Sequence, residues 1–124
     1  MGKKANDLFF DSAFNWLRDN TVKMTACTAE PAVFADIAAT KLAEATMSVG
    51  DFTNSVGDIN GRKVTVAAKS GAVITANGTA THIVLHNDIS IVGYVTTCTP
   101  LVLTAGASNT VNFPSWKIEI GAPA

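Results

Sequence analysis

Between Asn6 and Asn20 the apolar residues Phe9, Phe10, Ala13, Phe14, Trp16 and Leu17 recur at steps of three and four. That period predicts a helix, drawn over residues 5–20, with a broad apolar face that packs on a sheet. Asn6 is placed as its cap, and Asp7 and Asp11 sit near the end where the helix dipole favours negative charge. Four of the nine aromatic residues fall in this segment, a stripe that reads as core rather than as a cofactor site.

From Thr21 the period changes to two. Val22, Met24 and Ala26 alternate with Lys23, Thr25 and Cys27, which predicts a strand over 21–28 with one buried face. Glu30-Pro31 ends it, and Pro31 suits the first turn of a short helix over Ala32–Ala38. Lys41–Met47 alternates weakly and is read as a strand, although Ala, Leu and Glu also favour helix. Residues 48–61 show no strong period. Val-Gly-Asp at 49 and again at 56 predicts two similar turns within one long loop, the kind of segment that often meets partners.

From Arg62 onward the pattern is strands and turns. Val64, Val66 and Ala68 alternate with Lys63, Thr65 and Lys69. Ser70-Gly71 turns the chain into Ala72–Ala76, and Asn77-Gly78 is the preferred dipeptide of a tight hairpin. Thr79–His86, Ser90–Thr97 and Pro100–Thr104 follow, then a Gly106–Asn109 turn and a strand ending before Pro114. Trp116, Ile118 and Ile120 alternate with Lys117 and Glu119 in a half-exposed last strand. Turns at this spacing predict a single, mainly β domain over 1–124: a sandwich or barrel-like antiparallel sheet of about seven or eight strands, with the N-terminal amphipathic helix packed on it. Its parts are the helix at 5–20, a strand and short helix at 21–47, the loop at 48–61, and the antiparallel region at 62–124.

Composition narrows the function. Nine basic and ten acidic residues give a net charge of −1, and only 15% of the chain is charged, against about 25% in an average soluble protein. This excludes nucleic-acid binding by bulk positive charge and a disordered acidic tail. No apolar run of about 18 residues exists to span a membrane. Asp7 and Asp11 interrupt any signal-peptide core, and Gly2 lacks the Ser or Thr that myristoylation needs at position 6, so a cytosolic protein is expected. Asn77-Gly78-Thr79 then reads as a turn rather than a glycosylation site.

Chemistry-bearing constellations are few. Cys27 and Cys98 are read as two reduced, buried thiols, with a disulfide across a sheet as the alternative; zinc needs more ligands than two cysteines. His82 and His86 have HxxxH spacing, but the β-forming residues around them predict a strand that sets them about 13 Å apart, each partly exposed. Asp58-Ile59-Asn60-Gly61 lacks the ligand pattern and closing Glu of a calcium loop. No nucleophile elbow, phosphate loop or dinucleotide motif occurs, so neither catalytic residues, a cofactor nor a metal is expected, and the chain is read as a non-enzyme. With 19 Ala and 15 Thr, the low charge fits either a Thr-rich β surface or a subunit whose faces are buried in an assembly, where charge is depleted. The candidate interface residues are Phe52, Val56 and Ile59 in the loop and Trp116 on the last strand, in an oligomer expected to be a dimer or trimer. A carbohydrate or host-surface binding module is the reading from another class, with Tyr94 and Trp116 as its candidate aromatics.

The stretches Asn77–Leu85, Gly93–Thr99, Asn109–Val111 and Pro114–Ile120, with the helix Phe9–Leu17, the strand end Met24–Pro31 and the Gly61–Val66 strand, resemble small structural proteins of tailed bacteriophages. The resemblance covers nearly the whole chain and is least in Ala32–Asn60. It implies a virion component assembled in the host cytoplasm, foremost a capsid decoration or cement protein bound to the major capsid protein and to copies of itself, with neither nucleic acid nor membrane as partner. A tail, collar or head-fibre component is the alternative within the virion.

Overall fold

The computed structural model describes residues 6–121. Ala5, placed in the helix above, and the Met1–Lys4 segment lie outside that range. The helix α1 (Asp7–Asn20) is capped as expected: Asn6 Oδ1 accepts a 2.8 Å hydrogen bond from the Leu8 amide. Its buried face is narrower than the sequence indicates. Phe10, Phe14 and Leu17, one helical stripe, are buried, while Phe9 and Trp16 are 72% and 47% exposed and Ala13 is exposed too.

Nine strands follow among the described residues, all in antiparallel pairings. The four-stranded sheet runs β2 (Lys41–Thr46), β1 (Lys23–Cys27), β6 (Gly78–His86), β7 (Val92–Leu103). The three-stranded sheet runs β3 (Phe52–Val56), β4 (Arg62–Val66), β9 (Trp116–Ile120), and β5 (Lys69–Val73) pairs with β8 (Thr110–Phe113). The fold is therefore mainly β with an N-terminal helix against the sheets, and no barrel closes.

β1 departs from the half-buried expectation. It is central, between β2 and β6, and is covered on both faces, so Met24, Thr25, Ala26 and Cys27 are all buried while Val22, just before it, is exposed. The short helix expected over 32–38 appears as a 3-10 turn, Phe34–Asp36, leading into α2 (Ile37–Thr40). Phe34 and Ile37 pack with Cys27 and Val84 in a second, smaller core on the outer face of the four-stranded sheet.

Residues 48–61 are not one loop. A 3-10 turn at Val49–Asp51 feeds β3, whose Phe52 is 7% exposed within the main core, opposite Val66 of β4. The two Val-Gly-Asp copies differ in role. Asp51 accepts from the Ser48 amide at 2.8 Å and pairs with Lys69, whereas Val56 ends β3 and Asp58 binds Lys63 and Lys117. Phe52, Asn54, Arg62, Val64, Val66 and Ile118 share one face of the three-stranded sheet by register. α1 covers that face: Arg62 makes a two-pronged pair with Asp11 at 3.0 and 3.1 Å, and Asn54 donates to Asn15 at 2.9 Å.

Asn77-Gly78 makes no hairpin. β5 and β6 belong to different sheets, and Gly78 is not among the glycines of positive φ that such a turn requires. A Cβ at Gly78 would lie 2.9 Å from Thr28 Cγ2 and 3.0 Å from Leu42 Cδ2, so this glycine permits a close approach of strands. Asn77 Oδ1 instead accepts from the Ala105 amide at 2.7 Å. The positive φ of Gly71, 74°, sits inside β5 at the register shift between Lys69 and Ala72, a bulge where a turn was expected. Ser90–Thr97 and Pro100–Thr104, expected as two strands, form the single long β7, with a register irregularity against β6 next to Pro100.

Candidate functional site

The three-stranded sheet turns its other face, with Lys63, Thr65 and Lys117, toward a groove of about 810 Å³. The opposite wall is apolar: Ile83 of β6, Cys98, Leu101 and Leu103 of β7, and Val111 and Phe113 of β8. Threonines 96, 97 and 99 line the same wall, and Asp58 holds both Lys63 (2.6 Å) and Lys117 at the rim. A volume of this size falls in the range that takes a small ligand or several side chains of a partner. On the far side of β9 lies a smaller cleft of about 520 Å³ between α1 and the start of β7, lined by Trp16, Leu17, Tyr94, Ile118 and Ile120. Tyr94 and Trp116 stand between the two, ring centroids 6.0 Å apart, and Trp116 Nε1 points at Met24 Sδ at 3.5 Å.

The four candidate interface residues do not converge. Phe52 is core and presents nothing to a partner. Val56, the last residue of β3, is 67% exposed, and Ile59, in the β3–β4 connection, is 93% exposed. Trp116 is half-buried, opposite Val66, whereas Val56 lies opposite Arg62 and Arg62 opposite Ile120, so Trp116 sits at the other end of the sheet. No motif marks the groove walls from β7 and β8. The signal for them is in the chain: the 28 residues from Ile89 to Trp116 carry no Asp, Glu, Lys, Arg or His. Exposed Ile89, Ile91, Tyr94, Leu101 and Val102 all lie in that run.

His82 and His86 sit on a strand, as expected, but His86 is 2% exposed rather than partly exposed. The Asp88 amide donates to its Nδ1 at 3.1 Å, so the proton of the neutral ring is on Nε2, which donates to Thr25 Oγ1 at 2.7 Å. Thr25 in turn donates to Glu44 Oε2 at 3.0 Å, and Phe34 covers the ring with centroids 5.6 Å apart. Burial pushes the His86 pKa below its ordinary value, although Glu44 and Asp88 pull the other way. The chain of hydrogen bonds organises the outer face of the sheet, with His86 and Thr25 buried and the Glu44 end partly exposed. His82, half-buried, contacts Thr81 Oγ1 at 2.8 Å. Among the described residues no three His, Cys, Asp or Glu side chains gather to hold a metal.

Cys27 and Cys98 are both free. β6 lies between their strands, and two strand spacings of about 4.8 Å exceed the reach of a disulfide. Burial raises both thiol pKa values. No helix among the described residues is long and apolar enough to cross a membrane.

Fold and groove together define an antiparallel β protein with an uncharged, partly apolar flank. Comparison with protein-family models, curated sequences and solved structures gives no match for the chain.

Proposed function

We propose that this chain is a structural subunit of a tailed-bacteriophage virion, and specifically a capsid decoration protein that binds the major capsid protein and adds interface to the shell. The motif resemblance over most of the chain points to the virion. The observation that carries the assembly role is the uncharged run from Ile89 to Trp116, which forms one wall of the groove and bears five exposed large apolar side chains. Charge depletion of this kind is the mark of an interface core. Binding to the assembled shell but not to free capsid subunits stabilises the shell by mass action. No catalytic role is assigned to any residue.

Add-back to shells lacking the protein tests this. The native chain should decorate them, and Leu101→Lys/Val102→Lys should bind at least tenfold more weakly while staying folded. Full occupancy by that variant would remove the groove from the contact. A tail, collar or head-fibre position is the second virion reading, and copy number per particle separates the two. The Tyr94–Trp116 pair favours a carbohydrate-binding reading, which a glycan array tests directly.

A further inference from the structure

We propose that β7 is the self-association edge of this protein, pairing antiparallel with β7 of a second copy about a two-fold axis at Thr96. This goes beyond the virion reading: it concerns the isolated chain in solution and is decided there.

Among the described residues β7 pairs with β6 alone, so its outer side is a free edge. It is also the longest strand, 12 residues against five for β3 and β9. Long edges invite pairing with another chain, and proteins that stay monomeric blunt them with charge, proline or bulges. The other edges are short or charged: β3 and β8 carry no charge but run only five and four residues. β2 carries Lys41 and Glu44 and is capped by the Ala43–Ile74 bridge and the bond from the Thr75 amide to the Leu42 carbonyl. β9 carries Lys117 and Glu119. β7 has no charge at all; its register against β6 breaks at Gly93 and again between Thr97 and Leu101, where Pro100 lies, which leaves Tyr94–Thr97 as the regular stretch of the edge.

A second copy fits this edge better than a partner chosen at random, because an uncharged strand meets no repulsion from itself. A two-fold axis keeps each side chain on its own face of the joined sheet, so opposed residue numbers must sum to an even value. With the axis at Thr96, Thr97 faces Val95 of the second copy, and Tyr94 meets Cys98 where the regular stretch ends. In each pair an exposed position meets a half-buried one. The β-branched and aromatic pairs are of the kind that stabilise sheets. Two four-stranded sheets then join into one of eight, and Leu101 and Val102 flank the seam.

Light scattering at micromolar concentration should give twice the 12.9 kDa chain mass. Thr97→Lys/Thr99→Lys changes two exposed positions and should be a folded monomer by circular dichroism. Thr96→Cys/Cys98→Ser, oxidised, should give a disulfide-linked dimer, whereas Thr53→Cys/Cys98→Ser should not; this arm decides the matter if the lysine variant fails to fold. A monomeric native chain, a lysine variant that remains dimeric, or no cross-link at position 96 overturns the proposal.

Discussion

His86 Nε2 lies 2.7 Å from Thr25 Oγ1, and the bond has a fixed direction because the Asp88 amide occupies Nδ1. The ring must therefore be neutral in the fold, and a second proton would have to displace the Asp88 amide. The unfolded chain binds that proton near the ordinary His value of 6.5, while burial holds the folded value lower. The unfolded state thus binds more protons as the pH falls through 6.5, and the contribution of His86 to stability, complete above that value, is lost on the way down. Urea unfolding at neutral pH and in mild acid should show this decline, and His86→Gln should flatten it. An equal decline in the variant would place the titrating group elsewhere.

Removing the middle of the chain is a sharper probe of packing. Thr25→Val keeps the shape but leaves Glu44 and the His86 N–H without their shared partner, and it should cost about 1–3 kcal/mol. An unchanged urea midpoint would mean that water replaces the hydroxyl.

On α1 the outcome depends on which aromatic is cut. Phe14 is 3% exposed and Phe9 72% exposed. Phe14→Ala should cost about 3–5 kcal/mol, and Phe9→Ala less than about 0.5 kcal/mol. Similar losses for the two would contradict the orientation of the helix.

The segment 48–61 gives a comparable contrast. Phe52 is core and Ile59 is 93% exposed. Phe52→Ala should cost about 3–5 kcal/mol, whereas Ile59→Ser should leave stability unchanged within about 0.5 kcal/mol. Deleting 52–56 removes β3 and should unfold the domain; a folded deletion variant would show that β4 needs no outer neighbour.

Cysteine labelling checks the sheet order. In the native protein a thiol reagent should modify Cys98, half-buried at the β7 edge, and leave Cys27, 0% exposed, untouched. Both thiols titrate above their usual range, so the Cys98 rate should climb steadily in alkali. Modification of Cys27 in the folded chain would count against β1 as a central strand.

What the sequence made legible were elements with a local cause. The step of Phe10, Phe14 and Leu17, the Asn6 cap, and the alternation of Val64 with Val66 and of Trp116 with Ile118 all appear in the structure. β3 was hidden because Phe52-Thr-Asn-Ser-Val is flanked by two Gly-Asp dipeptides, and turn residues outweighed a short alternation. Asn77-Gly78 carried a hairpin signal, but β6 pairs with β1, more than fifty residues earlier, and non-local pairing leaves no mark on a dipeptide. The site was less legible than the fold. Phe52 and Ile59 are equally apolar in sequence, and only burial separates them. The groove's own signature was an absence, the missing charges from Ile89 to Trp116, which no motif records.

The central claim is that this chain is a shell subunit whose uncharged flank is covered by neighbouring subunits. A mass-spectrometric count against the major capsid protein in purified particles tests it most directly. A decoration protein on a symmetric lattice should be present in a fixed ratio to the capsid subunits, at a copy number comparable with theirs. Absence of the chain from purified particles would contradict the account, and about six or twelve copies per particle would move it from the shell to the tail or neck.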